Sequence, residues 1–245
     1  LENGWDRRKS AIVAMMKDIR PAVIGFQECS RYQRDYILSH NPEYEYVDYL
    51  IRRNVPNLKS YAAFTDPVMW DRNVLELIEW DAFYLSETPD TCSMSWDSAE
   101  PRTALWCRFK HKKTGKEFIF INTHLDHKGK EAQKEGMKLI VKKFKEYNPD
   151  GFAQFLTGDL NVKSDNAALD VLKDYMVNTR SAAPKDKTDN DRTYNGFSAT
   201  GGSVIDHVYC TKGMEVVEYH TIDENYGSAE YVSDHYPIYA IIKMK

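Results

Sequence analysis

FIFINTHLDH (residues 118–127) and FAQFLTGDLN (residues 152–161) are the stretches that decide the fold. Each begins with a mostly apolar run of the length of a buried strand, and each ends in acidic, histidine or asparagine residues. AVIGFQE (residues 22–28) has the same form. We therefore predict three buried strands that carry polar side chains at their C-terminal ends, where a strand fixes the position of a side chain.

The remaining pattern mixes helices and strands along the whole chain. Apolar residues at helical spacing predict helices at 8–20, 31–39, 129–147 and 167–175. Short apolar or alternating runs predict strands at 22–26, 74–78, 81–85, 105–109, 117–122, 152–156, 204–210, 215–219 and 238–243, while 44–51 fits either type. The fold class expected is α/β (α+β) in a single domain, with two mixed, mostly antiparallel sheets packed face to face. A strictly parallel βαβα order fits less well.

The composition is that of a folded globular chain. Of 245 residues, 42% are hydrophobic and 29% are charged, and no apolar run approaches the ~20 residues of a membrane span. The net charge of -4 argues against a broad basic surface that binds nucleic acid non-specifically. The four scattered cysteines contain no C-x-x-C pair, so we interpret them as buried thiols rather than a zinc or redox site.

Side chains that suit metal binding and proton transfer lie within the predicted core strands or next to them. They are Glu28, Asn122, His124, Asp126, His127, Asp159, Asn161, Asp206, Asp234 and His235. Each alone is more typical of a helix cap or a turn. Together they indicate one site whose oxygen ligands suit Mg²⁺, Mn²⁺ or Ca²⁺ and whose histidines can move protons or stabilise charge. Metal-assisted attack of water on a phosphate ester needs these groups.

Six motifs in fixed order resemble the endonuclease/exonuclease/phosphatase superfamily. They are GFQE (25–28), NTHLDH (122–127), TGDLN (157–161), TYNGF (193–197), IDHVY (205–209) and SDHYP (233–237), and they span nearly the whole chain. The bacterial metal-dependent hydrolase branch is most similar, through LSETP (85–89), PR (101–102) and TGKEF (114–118). The resemblance implies a four-layer αββα sandwich of the deoxyribonuclease I type, with the site at one end of the sheets and Mg²⁺ or Mn²⁺ as cofactor.

The resemblance also implies a set of metal-binding residues. Glu28 matches the family's principal metal ligand, and Asp234 matches an additional acid of the metal site. Asp159 is expected to orient or deprotonate the attacking water and to contact the metal.

Catalytic and phosphate-binding roles follow from the same resemblance. His235 is expected near phosphorus as a base or electrostatic stabiliser, with Asp206 orienting it. His124 matches a second histidine, a candidate acid for the leaving group, and Asn161 is expected to hold a phosphate oxygen. Whether Asp159 or the Asp206–His235 pair takes the proton of the water stays open.

Other residues have two interpretations each. Arg102 is expected to bind substrate phosphate, with a solvated surface charge as the alternative. Asp126 and His127 either line the substrate pocket or are exposed loop residues. Three aromatic residues either form a wall of the site or pack in the core: Trp70, Trp96 and Tyr194.

One departure from the family concerns the start of the chain. The family normally begins with a strand that carries a metal-binding asparagine, whereas Leu1 falls almost at the first predicted helix. We therefore expect the native chain to extend further toward its N-terminus. An exported protein whose leader has been removed is one interpretation, and the compartment stays open.

The leading interpretation is a divalent-metal phosphodiesterase or phosphatase. Its substrate would be a phosphorylated small molecule, a lipid headgroup or a sugar phosphate, and a nuclease stays open although the charge does not favour nucleic acid. The alternative from another class is a non-catalytic binding module on the same fold. A hydrolase of other esters ranks low, because the chain has no G-x-S-x-G motif.

Overall fold

Two of the three apolar runs quoted above, 118–127 and 152–161, supply the two middle strands of the larger sheet. The computed structural model describes residues 3–49, 64–184, 190–227 and 229–244. In chain order its elements are α1 (Trp5–Ile19), β1 (Val23–Gly25), β2 (Cys29–Ser30), α2 (Arg31–His40), β3 (Tyr44–Val47), β4 (Phe64–Thr65), β5 (Val68–Asp71), β6 (Leu75–Tyr84), β7 (Thr103–His111), β8 (Glu117–His124), α3 (Lys130–Tyr147), β9 (Ala153–Asp159), a 3₁₀ helix (Ala167–Leu172), β10 (Met176–Asn178), α4 (Thr179–Ala182), β11 (Asp206–Thr211), β12 (Glu215–Thr221) and β13 (Ile238–Lys243).

The larger sheet has six strands in the order β10-β11-β9-β8-β7-β6. All neighbours are antiparallel except β8 and β9, which are parallel and are joined through α3. A parallel pair needs such a crossover, and it brings the C-terminal ends of both strands to the same edge. The polar ends of the two quoted stretches therefore meet.

Smaller sheets complete the β structure. β1, β5 and β3 form an antiparallel sheet in the order β1-β5-β3, while β12 pairs with β13 and β2 pairs with β4. The β2–β4 ladder has only two residue pairs, Cys29 with Thr65 and Ser30 with Phe64. A ladder this short depends on packing around it.

Three of the apolar clusters among the described residues stack the layers of the fold. The largest joins α3 and the 3₁₀ helix to one face of the six-stranded sheet, and Ile140 and Phe144 are fully buried in it. A second cluster joins the opposite face to the three-stranded sheet, through Phe109 and Trp70 among others. A third packs α1 and α2 on the outside of that smaller sheet. This order, helix–sheet–sheet–helix, confirms the predicted sandwich of mixed, mostly antiparallel sheets.

Local chemistry defines the helix boundaries. Ser30 caps α2 by a reciprocal capping box, because its hydroxyl accepts from the Gln33 backbone N–H and the Gln33 side chain accepts from the Ser30 N–H. α1 ends at Ile19, and its C-cap residue Arg20 adopts the left-handed conformation before Pro21. Within the described ranges, no helix is long and apolar enough to cross a membrane.

The structure corrects several sequence expectations. The predicted strands 74–78 and 81–85 are one strand, β6, whose pairing with β7 shifts between Leu77 and Glu79. The predicted helix 167–175 is a shorter 3₁₀ helix, and the ambiguous 44–51 contains strand β3. Cys92 is exposed, so only three of the four thiols are buried. Residues 182–191, whose composition is typical of a polar surface loop, lie partly outside the described residues.

Candidate active site

Strand register places three of the predicted site residues side by side. In the parallel β8–β9 pair, His124 lies opposite Asp159. In the antiparallel β9–β11 pair, Asp159 lies opposite Asp206. Because directly opposed residues point to the same face of a sheet, His124, Asp159 and Asp206 form a row across the end of three adjacent strands.

His235 comes to this row from the segment before β13. A β-bridge to Tyr194 fixes its backbone. Its Nδ1 lies 2.8 Å from Oδ2 of Asp206, and its Nε2 lies 3.8 Å from Oδ2 of Asp159. A carboxylate can only accept, so Nδ1 carries the proton and Nε2 faces Asp159. The Tyr194 ring packs edge-on against the imidazole at 5.1 Å.

The carboxylates around His235 favour its charged form. Burial alone would lower its pKa, but the hydrogen bond to Asp206 and the charges of Asp206, Asp159 and Asp234 raise the pKa to about 9. For Asp159, burial opposes ionisation, yet His124 and His235 together with the Asn161 N–H lower its pKa. The row therefore pairs an ionised carboxylate with a cationic imidazole.

A second histidine lies on the other side of Asp159. Nε2 of His124 is 3.4 Å from Oδ2 of Asp159, the same oxygen that faces His235. Nδ1 of His124 is buried, has no hydrogen-bond partner among the described residues, and lies 3.9 Å from Oδ1 of Asp66. Asp159 is thus placed between two imidazoles.

Sequence reasoning missed Asp66. It lies in the Thr-Asp-Pro segment between β4 and β5. Burial raises the pKa of its carboxyl group, although the nearby His124 opposes that effect. An acid between a threonine and a proline is ordinary turn composition, so only its position beside His124 distinguishes it.

Close packing of β1 on β8 delivers Glu28 to the same end of the sandwich. A Cβ on Gly25 would lie 2.1 Å from Oδ1 of Asn122, so only glycine allows this approach. Asn122 donates to the Phe26 carbonyl and accepts from the Gln27 side chain. Glu28 follows with φ 51° and an exposed side chain, and its backbone N–H donates to Oδ1 of Asp66.

Asn161 turns the chain beside Asp159. It adopts φ 52°, its N–H donates to Oδ1 of Asp159 at 2.8 Å, and its side-chain amide donates to the Leu125 carbonyl. The turn therefore holds one carboxylate oxygen of Asp159 and leaves the other facing both histidines.

Asp126 is neither a pocket residue nor an exposed loop residue. It is buried, and its two oxygens accept from four backbone N–H groups, those of Ala99, Glu100, Lys128 and Gly129. Burial opposes its ionisation, but these donors lower its pKa to about 2. It joins the 98–100 segment to the start of α3, which is a structural role.

Arg102 lies next to this junction, on the His124 side of the row. Its Nε is 4.0 Å from Oδ2 of Asp126 and its Nη2 is 3.3 Å from Nδ1 of the exposed His127. Its Nε has no hydrogen-bond partner among the described residues. The positive charge of Arg102 acts on Asp66, so the guanidinium lies near the site.

The remaining predicted residues divide between the site and the core. Asp234 is half-buried beside His235, and its carboxylate accepts from the Ser233 hydroxyl. Tyr194 is exposed next to His235, and Trp96 is half-buried. Trp70 packs in the core against Phe109 and is not part of any wall of the site.

The donor atoms at the row fit a hard divalent cation. Carboxylate oxygens of Asp159 and Asp206 lie within 4.8 Å of one another. The exposed carboxylate of Glu28 projects from a segment that is bonded to Asp66 at the same end of the fold. Carboxylate oxygens that retain free positions for water and phosphate are the environment Mg²⁺ and Mn²⁺ prefer.

The chain is similar to several known proteins over nearly its full length. Mannosyl-6-phosphatase of Bacteroides thetaiotaomicron superposes with a TM-score of 0.88 at 27% identity, covering 99% of this chain and 92% of that one. An uncharacterized protein of Acanthamoeba polyphaga mimivirus is 27% identical over 265 residues, covering 98% and 92% of the two chains. The human Nocturnin catalytic domain shares the fold, with a TM-score of 0.75 at 16% identity and coverage of 98% and 87%.

A family model matches almost all of the sequence. The Endonuclease/Exonuclease/phosphatase family model covers residues 2–235, which include all six motifs up to His235. The site described above lies within that match. This chain belongs to the Endonuclease/Exonuclease/phosphatase family, and it is a metal-dependent hydrolase of phosphate esters.

Proposed function

We propose that the chain is a phosphatase that uses Mg²⁺ or Mn²⁺ and removes the phosphate of a small sugar phosphate. The observation that carries the hydrolytic part is the position of Asp159 between two histidines, each with its own carboxylate neighbour. The likeness to a mannosyl-6-phosphatase over 99% of the chain supports a sugar phosphate. The net charge of -4 supports a small substrate over duplex DNA.

The metal would be held by Glu28, Asp159 and Asp234. All three offer carboxylates at the same end of the sandwich, and Glu28 and Asp234 are incompletely buried. When bound, a divalent cation polarises a phosphoryl oxygen and offsets the negative charge of the acids around it. Without that charge, these acids would repel a phosphate group.

In this proposal, Asp159 and His235 have different roles at the phosphorus atom. Asp159 is ionised and orients the attacking water by accepting a hydrogen bond from it. His235 keeps its Nδ1 proton on Asp206 and directs Nε2–H toward a phosphate oxygen. Donors placed in this way stabilise the charge that develops in the transition state.

The leaving oxygen would receive its proton from His124. Nε2 of His124 points toward Asp159, and Asp66 lies beside its Nδ1. Asn161 and Arg102 would hold phosphate oxygens, since the Asn161 amide keeps a second N–H beyond its bond to Leu125 and the Arg102 Nε has no hydrogen-bond partner among the described residues. Asp66 acts through His124 and is a positioning residue.

The test is hydrolysis of four substrates with Mg²⁺, Mn²⁺ or EDTA. The substrates are mannose 6-phosphate, p-nitrophenyl phosphate, bis-p-nitrophenyl phosphate and plasmid DNA. We expect EDTA-sensitive release of phosphate from the two monoesters and the highest kcat/KM for the sugar phosphate. Faster cleavage of the diester or of DNA would contradict the phosphatase assignment. Metal binding without hydrolysis of any substrate would support a binding module instead.

A further inference from the structure

A buried ion pair lies behind the segment that carries Glu28. Arg34 on α2 is 5% exposed, and Asp48, which follows β3, is fully buried. Nη1 of Arg34 is 3.2 Å from Oδ2 of Asp48, while Arg34 also bonds the partly exposed Asp35 and packs over the Tyr46 ring at 4.3 Å. A buried pair of this kind contributes little net stability because both charges lose their hydration. Stability alone therefore gives no reason for its presence.

The hydroxyl of Thr65 connects this pair to the short β2–β4 ladder. Oγ1 of Thr65 is 2.7 Å from Oδ2 of Asp48 and 3.1 Å from the carbonyl oxygen of Cys29. Cys29 is also the residue paired with Thr65 in the ladder. The contact thus holds both strands of a ladder that is too short to be stable alone.

Two site residues extend directly from the ends of this ladder. Glu28 precedes Cys29, Asp66 follows Thr65, and the Glu28 N–H donates to Oδ1 of Asp66 at 3.0 Å. Glu28 also adopts φ 51°, a left-handed conformation that costs a non-glycine residue free energy unless its surroundings hold it. Contacts that stabilise the β2–β4 ladder therefore also fix the position of Glu28.

We propose that Arg34, Asp48 and the Thr65 hydroxyl are positioning residues that set metal affinity by holding Glu28 and Asp66 in place. The inference rests on the proposed role of Glu28 as a metal ligand. Outer groups that orient a ligand typically change metal affinity by about tenfold or more when they are removed.

The test compares two substitutions at one position. Thr65→Val keeps the shape of the side chain and removes the hydroxyl, whereas Thr65→Ser keeps the hydroxyl. We expect Thr65→Val to weaken Mn²⁺ binding about tenfold by calorimetry, and Thr65→Ser to retain wild-type affinity. Asp48→Asn should weaken Mn²⁺ binding as well, and it provides the same test if Thr65→Val does not fold.

A control separates positioning from general destabilisation. Ile140→Val shortens a fully buried side chain in the cluster beneath α3, on the other side of the larger sheet. It should lower the urea midpoint and leave Mn²⁺ affinity unchanged. The inference is overturned if Thr65→Val and Asp48→Asn bind Mn²⁺ as the wild type does. Normal Mn²⁺ affinity in Glu28→Gln would instead overturn the proposed metal site.

Discussion

At the scale of single residues, the site is organised around one carboxylate. Oδ1 of Asp159 accepts from the Asn161 N–H, and Oδ2 faces both His124 and His235. The two imidazoles differ in their second partners, because His235 has a 2.8 Å hydrogen bond to Asp206 and His124 has only a 3.9 Å contact with Asp66. Environments that differ in this way separate acid from base roles.

Removal of the His235 side chain should lower kcat more than a change at its hydrogen-bond partner Asp206. We expect His235→Ala to lower kcat by about 10²-fold or more, the scale of general acid–base and electrostatic contributions. Asp206→Asn should cost less, because asparagine can still accept from Nδ1. Steady-state kinetics on p-nitrophenyl phosphate measures both, and a near-normal rate for His235→Ala would contradict its assignment.

Glu28 should control metal binding without supporting the fold. Its side chain is exposed, so Glu28→Gln should leave the urea midpoint unchanged. We expect the loss of its charge to weaken Mg²⁺ and Mn²⁺ binding and to lower turnover at limiting metal. Isothermal calorimetry checks this expectation, and unchanged affinity would remove Glu28 from the site.

Asp126 should matter for stability rather than for chemistry. Asp126→Asn places an NH₂ group against backbone N–H donors, so we expect a loss of about 1–3 kcal/mol. The folded-state pKa of about 2 lies below the ordinary 3.8, so the carboxylate stabilises the fold above pH 4. That contribution is lost as pH falls toward 2.

Urea unfolding at several pH values tests the sign of this effect. The difference in unfolding free energy between wild type and Asp126→Asn should be full at pH 5 and should shrink toward pH 2.5. A difference that grows on acidification would contradict the assignment. At pH 7, Asp126→Asn should have a lower apparent kcat than the wild type only to the extent that a smaller fraction of its molecules is folded.

At the scale of elements, the site depends on how β1 crosses β8. Gly25 and Asn122 approach so closely that no Cβ fits between them, and Glu28 is three residues beyond that crossing. The crossing therefore brings Glu28 to the end of the sandwich at which the row on β8, β9 and β11 lies. The two-residue β2–β4 ladder and the left-handed Glu28 then complete the segment.

Alanine substitutions at two glycines should distinguish the effect of the close β1–β8 approach on metal binding from the effect of adding a methyl group elsewhere. We expect Gly25→Ala to destabilise the protein by about 1–3 kcal/mol and to weaken metal binding, because its Cβ would overlap the Asn122 amide. Gly136→Ala in α3 is the matched control, since its Cβ would be no closer than 3.4 Å to Leu85. Alanine in a helix interior should be neutral or stabilising. Urea unfolding and Mn²⁺ calorimetry distinguish the two, and wild-type behaviour of Gly25→Ala would contradict the crossing argument.

At the scale of the whole molecule, metal binding and folding should be linked. The acids that would hold the cation come from separate segments that meet only in the folded chain, so the unfolded state has no preformed site. A ligand at 100 times its dissociation constant stabilises by about 2.7 kcal/mol. For a chain of this size we therefore expect Mn²⁺ to raise the Tm by roughly 5–10 °C.

Thermal unfolding with and without EDTA checks this linkage. The increase in Tm should be reversed by EDTA and should be smaller in Glu28→Gln. An equal increase in both proteins would place the stabilising metal elsewhere. Calcium offers a comparison, because a site shaped for Mg²⁺ or Mn²⁺ favours a smaller cation.

The sequence alone determined most of the longer strands, the sheet class and the residues of the row. Local pattern is sufficient for this, because an apolar run that ends in acids or histidine marks both a buried strand and the end at which its side chains are held. The ordered motifs then identified the family, and the family match confirms it. The individual roles of Glu28, His235 and the others stay predictions.

Only the tertiary structure decided which other residues join them. Asp66 and His124 are distant in sequence and meet because one sheet packs on another, which no local pattern records. The same packing placed Trp70 in the core and surrounded Asp126 with backbone donors. Composition can indicate that an acid ends a strand, but the partners that set its pKa and its role come from other elements, and those are fixed only when the layers assemble.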